Sequence, residues 1–182
     1  EKKKNSGPFG LKMGMKLSEF KDLESSGSPF IYSIPGKSLP KPSTKFSFYG
    51  LIIHPELGLV EIKAMATVET SRYGFEVKSE FAELKKALTK KYSKCSGEHD
   101  LLLPGSIWDE PEDWMTAVSK KERHLSCHWL DEDRSSLKKY KLGSVLLEVI
   151  VPQHSDDEAI ILLKYQFENM EKLMELIKKK EE

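Results

Sequence analysis

Apolar residues fall at alternate positions along much of this chain and shift to helical spacing in four places. The clearest alternation is residues 59–70. Val60, Ile62, Ala64, Ala66 and Val68 share one face there, and Glu61, Lys63, Thr67 and Glu69 fall on the other. That is the pattern of a half-buried strand. Residues 30–34, 45–53 and 124–130 read as further strands, with Leu125, Cys127 and Trp129 on one face of the last. Residues 145–151 and 159–167 form a predicted hairpin. Helical spacing predicts helices over 17–24, stopped by Ser25, Ser26 and Gly27, over 77–92 with Phe81, Leu84 and Leu88 as the apolar stripe, and over 170–180 with Leu173, Leu176 and Ile177. A shorter helix starts at Asp109-Glu110-Pro111-Glu112, where Asp109 can cap and Pro111 suits the first turn. It would carry Trp114, Met115 and Val118 inward. The Pro-rich stretch 35–43 cannot lie in a sheet centre.

Residues 10–23 and 74–87 align at an offset of 64 positions, Gly10 with Gly74, Leu17 with Phe81 and Phe20 with Leu84. Strand-like runs follow each copy. The expected fold is α+β: an antiparallel sheet of about six strands with helices on one face, built from a duplicated αβββ unit. Residues 1–8 read as a flexible leader. Residues 9–182 read as one domain of two repeats, 9–72 and 73–182, the second with an insertion at 95–122.

Composition narrows the function classes. Of 182 residues, 38% are hydrophobic and 32% charged, which suits a globular chain. Lys+Arg and Asp+Glu both number 29, so broad attraction to nucleic acid is not expected as an activity. The runs Lys2–Lys4 and Lys178–Lys180 read as solvated tails. No apolar run approaches the ~20 residues of a membrane span. The chain starts at Glu1 rather than Met, and its polar EKKKNSG opening suits the segment after the lipidated Cys of an exported lipoprotein. A lipid anchor upstream fits that reading. Cys95 and Cys127 suit one disulfide or two buried thiols equally.

Candidate chemistry is sparse. His124, Cys127 and His128 resemble a metal site, but the two histidines stand about 13 Å apart along a strand and Cys127 points to the opposite face. His54 and His154, beside prolines, are expected in exposed turns. Cys95 comes just after a helix C-terminus, where the dipole disfavours a thiolate. The acidic clusters 109–113, 131–133 and 156–158 fit a helix start and two loops. No phosphate loop, dinucleotide fingerprint or zinc-protease motif is present. The expectation is therefore no catalytic, cofactor-binding or metal residue. Two features suit a partner. Trp108 and Trp114 flank the turn in PGSIWDEPEDWM; the preferred reading is that both pack over the core and seal one end of the sheet, and the alternative is a recognition surface, since Trp is enriched at binding hot spots. In the hairpin, Leu146, Ile150, Ile160 and Leu162 face away from the helix side, where a one-sided sheet would carry polar residues.

The opening GPFGLKMGM, and later PGSIWDEPEDWM followed by KKER, resemble a group of bacterial proteins of unknown function that are often predicted to be exported. The Gly-Met-x-Leu-x-Glu start at Gly14 resembles the small outer-membrane-assembly lipoproteins. The tandem helix-plus-sheet unit is similar to the β-lactamase inhibitor protein fold. These likenesses imply a fold and an envelope location, with the cytoplasm as the alternative, and bring no functional residue. The expected function is a non-enzymatic module that binds another protein, or a second copy, through its sheet. The alternative is a small-ligand-binding protein or hydrolase with its site near Trp108 and Trp114.

Overall fold

The computed structural model describes residues 7–130 and 135–181. Its strands are β1 (Glu24–Ser25), β2 (Ile31–Ser33), β3 (Phe48–His54), β4 (Gly58–Glu69), β5 (Gly97–Leu102), β6 (Arg123–Leu130), β7 (Leu142–Ile150) and β8 (Glu158–Phe167). Its helices are α1 (Phe75–Tyr92), α2 (Trp114–Ser119), α3 (Ser135–Lys138) and α4 (Met170–Glu181). The strands form one eight-stranded antiparallel sheet in the order β1-β2-β3-β4-β8-β7-β6-β5. The first four strands follow chain order and the last four reverse it. Each half of the chain is thus a four-stranded meander, and the halves meet through β4 and β8. The class is α+β, as the hydrophobic pattern predicts, with eight strands rather than about six.

The two additional strands are the sheet's edges. β1 has two residues, both exposed. β5, inside the stretch read as an insertion, is Gly-Glu-His-Asp-Leu-Leu, and none of its residues is fully buried. Edge strands that carry charge show no apolar alternation, because they are held by one neighbour and pack little of their side-chain surface.

The helix predicted over 17–24 does not form. Leu17–Glu19 make one 3-10 turn, closed by the Glu19 carboxylate accepting from the Lys16 N–H at 2.7 Å. Phe20 is extended and Asp22 sits at φ 60. So short a segment needs tertiary packing to stay helical, and Leu17 is 41% exposed where its aligned partner Phe81 is 3%. The two aligned segments pack in unrelated ways. Two smaller expectations also change. Asp109 makes no cap; a 3-10 turn, Pro111–Asp113, leads into α2 instead. His54 is buried rather than exposed: its Nδ1 accepts from the N–H groups of Glu56 and Leu57, and its ring lies 4.8 Å from that of Phe30.

The fold divides into two compact units. Among the described residues, the first comprises residues 7–64, 130, 135–145 and 164–181. In it the Phe9 ring meets the edges of Phe46, Tyr49 and Tyr165, with centroids 5.0–6.0 Å apart. Residues 14 and 15 bond to both sides of Leu59, at 3.0 and 2.9 Å. That approach requires glycine at position 58, whose φ is +71 and where a Cβ would overlap the Gly14 backbone. Asn169, 9% exposed, donates to the carbonyls of Leu57 and Leu59 at 3.2 and 3.1 Å. Of the α4 stripe only Leu173 is buried, while Ile177 is 41% exposed.

The second unit comprises residues 65–129 and 146–163. α1 buries Val77, Phe81, Leu84, Leu88 and Tyr92, one stripe at helical spacing. Its start is unusual. Gly74 stands at the N-cap in the left-handed region and offers no side-chain cap. Glu76 reaches back instead, accepting from Thr70 Oγ1 at 2.7 Å and the Ser71 N–H at 2.8 Å. These bonds, Thr70's first, hold the Glu76 carboxyl down at about 2.

Candidate protein-binding surface

The surface is built by strand alternation in β7 and β8 within the second unit. Leu147 and Val149 of β7, and Ala159, Ile161 and Leu163 of β8, are at most 4% exposed. The residues between them must point to the other face. Those are Leu146, Glu148, Ile150, Ile160 and Leu162. Leu146, Ile150 and Ile160 are half-buried, and Leu162 is 9% exposed. Alternation thus sets the four predicted aliphatics on one face, with three half-buried and Leu162 buried among the core hydrophobics. A half-buried aliphatic retains roughly 1 kcal/mol of hydrophobic transfer to be gained by further burial.

Next to this face lies a cleft of about 420 Å³, lined by Lys121, Arg123, His124, Ser126, Glu148 and Ile150 among others. A histidine and a carboxylate share it, but neither Trp108 nor Trp114 lines it. Trp114 is 4% exposed and lies against Gly74 so closely that a Cβ there would enter its ring. Lys78 Nζ stands 4.6 Å from that ring, and burial, then the neighbouring Arg123, push the Lys78 pKa below its ordinary value. Trp108 is half-buried, with Lys120 Nζ 5.4 Å from its ring.

Leu101 near the end of β5 (39%) and Leu103 (41%) and Ile107 (76%) in the loop before Trp108 are exposed. Tyr73 and Phe75 stack with centroids 5.2 Å apart, and Phe75 is 62% exposed. Periodicity singles out none of these five. The signal available for the first three is the apolar run LLL broken by Pro104-Gly105, which ends β5.

His124 and His128 lie on the outer side of β6 and Cys127, fully buried, on the inner side. His128 stacks with His99 of β5, centroids 5.9 Å apart. Among the described residues, one trio of metal-type donors converges: Cys95, Glu98 and Cys127, with ligand atoms within 4.8 Å of one another. Glu98 is bonded by Lys85, a contact that raises the Lys85 pKa. His154 is exposed, as are residues 156–158. The cluster 131–133 and residues 1–6 of the leader lie outside the described residues. No described helix is long and apolar enough to cross a membrane. Comparison with protein-family models, with curated proteins and with solved structures found no match.

Proposed function

We propose that this chain is a non-enzymatic module that binds another protein through the outer face of β7 and β8. What supports the reading is strand alternation in β7 and β8, which leaves Leu146, Ile150 and Ile160 half-buried between fully buried neighbours, with Leu162 buried on the same alternation. The apolar surface that Leu146, Ile150 and Ile160 leave in water is what a partner would cover. The use of Trp114 inside the core, rather than at a cleft, supports binding over ligand chemistry. A cell-envelope location belongs to the same reading, on the likeness to exported bacterial proteins. The two four-stranded meanders are what a duplicated strand unit would leave, with the leading helix kept only in the second copy.

The test separates surface from core. Ile150→Thr/Ile160→Thr keeps strand-forming residues at two half-buried positions, and Leu162→Thr alters a buried one. Sedimentation velocity reads association with a second copy, and a photo-crosslinking residue at position 146 reads other partners in cells. The double variant is expected to lose association or crosslinking while keeping its melting temperature within a few degrees, and Leu162→Thr to melt clearly lower. Association and crosslinking untouched by the double variant would refute the reading.

A further inference from the structure

Cys95 and Cys127 are 32 positions apart in sequence, yet their Sγ atoms stand 3.1 Å apart inside the second unit. Both side chains are buried. The local chain path brings them together. α1 ends at Tyr92, and Ser93 turns the backbone at φ 70. Trp129 Nε1 holds the Ser93 carbonyl at 2.8 Å, and the Ser96 N–H bonds to the His128 carbonyl at 2.7 Å. Gly97 then pairs with His128 and Glu98 with Cys127. Two contacts from β6 therefore clamp the chain on either side of Cys95, next to Cys127 on the same strand.

We propose that Cys95 and Cys127 form a disulfide that closes residues 95–127 into a covalent loop holding β5, the exposed Leu101–Ile107 segment and α2. The step is thiol–disulfide exchange with a small-molecule or protein disulfide. Two S–H bonds break and one S–S bond forms; the two electrons and two protons pass to the oxidant, which leaves as two thiols. Only a small closing movement separates 3.1 Å from a bond of about 2.05 Å.

A metal is the competing use of the same atoms. The site offers three donors, and one of them, Glu98, already accepts from the Lys85 ammonium, a cation that would oppose another. The disulfide needs no fourth ligand and leaves the Lys85–Glu98 pair in place. Burial, then the hydrogen bond to Cys95, raises the Cys127 thiol to about 12, so the folded protein holds almost no Cys127 thiolate at neutral pH. Both sulfurs are buried, so exchange belongs to the folding chain and the finished bond is shielded from reductant.

The reduced chain, refolded with glutathione disulfide and then alkylated in denaturant without reductant, tests this. Neither thiol should react, and the intact mass should lie two hydrogens below that of the reduced chain. Protease fragments carrying positions 95 and 127 should stay linked until reductant is added. Reducing the bond should lower the melting temperature by roughly 6–15 °C, from the entropy of a loop of about 30 residues. Comparing oxidised with reduced wild type needs no variant; Cys95→Ala should match the reduced form. Two alkylated thiols after refolding would overturn the proposal. So would stoichiometric zinc retained by the wild type and lost in Cys95→Ala, which would make the trio a metal site.

Discussion

Gly74→Ala puts a methyl group where the backbone turns at φ +71 and where that methyl would enter the Trp114 ring. Two costs add. Holding an L-residue in the left-handed region costs roughly 1–2 kcal/mol. Forcing a methyl into a well-packed contact costs roughly 1–3 kcal/mol more. Trp114 cannot yield easily, since it is 4% exposed and is followed by Met115 at 0%. Its neighbour's N–H is also tied to the Arg72 carbonyl at 3.1 Å. The expected loss is about 2–5 kcal/mol, a fall in melting temperature of roughly 5–15 °C for a chain of this size. Thermal unfolding tracked by circular dichroism measures it. A double-mutant cycle isolates the contact. Trp114→Ala alone should cost roughly 3–5 kcal/mol, and adding Gly74→Ala to it should then cost only the backbone part. If the two changes are additive, or if Gly74→Ala alone melts like wild type, the packing of Trp114 on Gly74 is not what fixes the start of α1.

Two further predictions concern polar and charged anchors. Glu76 has a folded pKa of about 2 against an ordinary 4.5, so it contributes stability that is complete above pH 4.5 and fades as pH falls toward 2. Glu76→Gln should therefore lower the melting temperature at neutral pH, with the gap to wild type closing between those values; a gap constant with pH refutes the linkage. Asn169→Ala strips donors from the Leu57 and Leu59 carbonyls and should cost roughly 1–3 kcal/mol, read by chemical denaturation. Asn169→Asp should be less stable still at neutral pH, because a carboxylate would then face two carbonyl oxygens.

The sequence revealed most where burial is one-sided and the element long. β4, α1, β6, β7, β8 and α4 all lie within a few residues of the spans that alternation or helical spacing predicts. Burial of Trp114, Met115 and Val118 also agrees with the predicted face of α2. What was hidden has physical reasons. β1 and β5 bury too little to show a period. Residues 17–24 have helical spacing, but Leu17 finds no core to pack on, so the pattern has nothing to act on. The buried His54 depends on Phe30 and on two turn N–H groups, neighbours set by tertiary structure. The outward aliphatics of the candidate surface were legible because they break strand alternation. The exposed Leu103 and Ile107 were not, because a loop has no period to break, and Leu101 ends an edge strand that shows none.

The order of strands in the sheet also sets how the chain can fold in time. Each meander pairs neighbours in sequence, and such local contacts form quickly. β4 and β8 are adjacent in the sheet but nearly a hundred residues apart in the chain. Their pairing must close the longest loop of the topology, at an entropic cost that nothing local offsets until both strands are in register. Until then both strands are unpaired edges with apolar faces, the state most open to pairing with the wrong chain. Refolding yield should therefore fall with protein concentration, and the slow phase should track β4–β8 docking rather than formation of either meander.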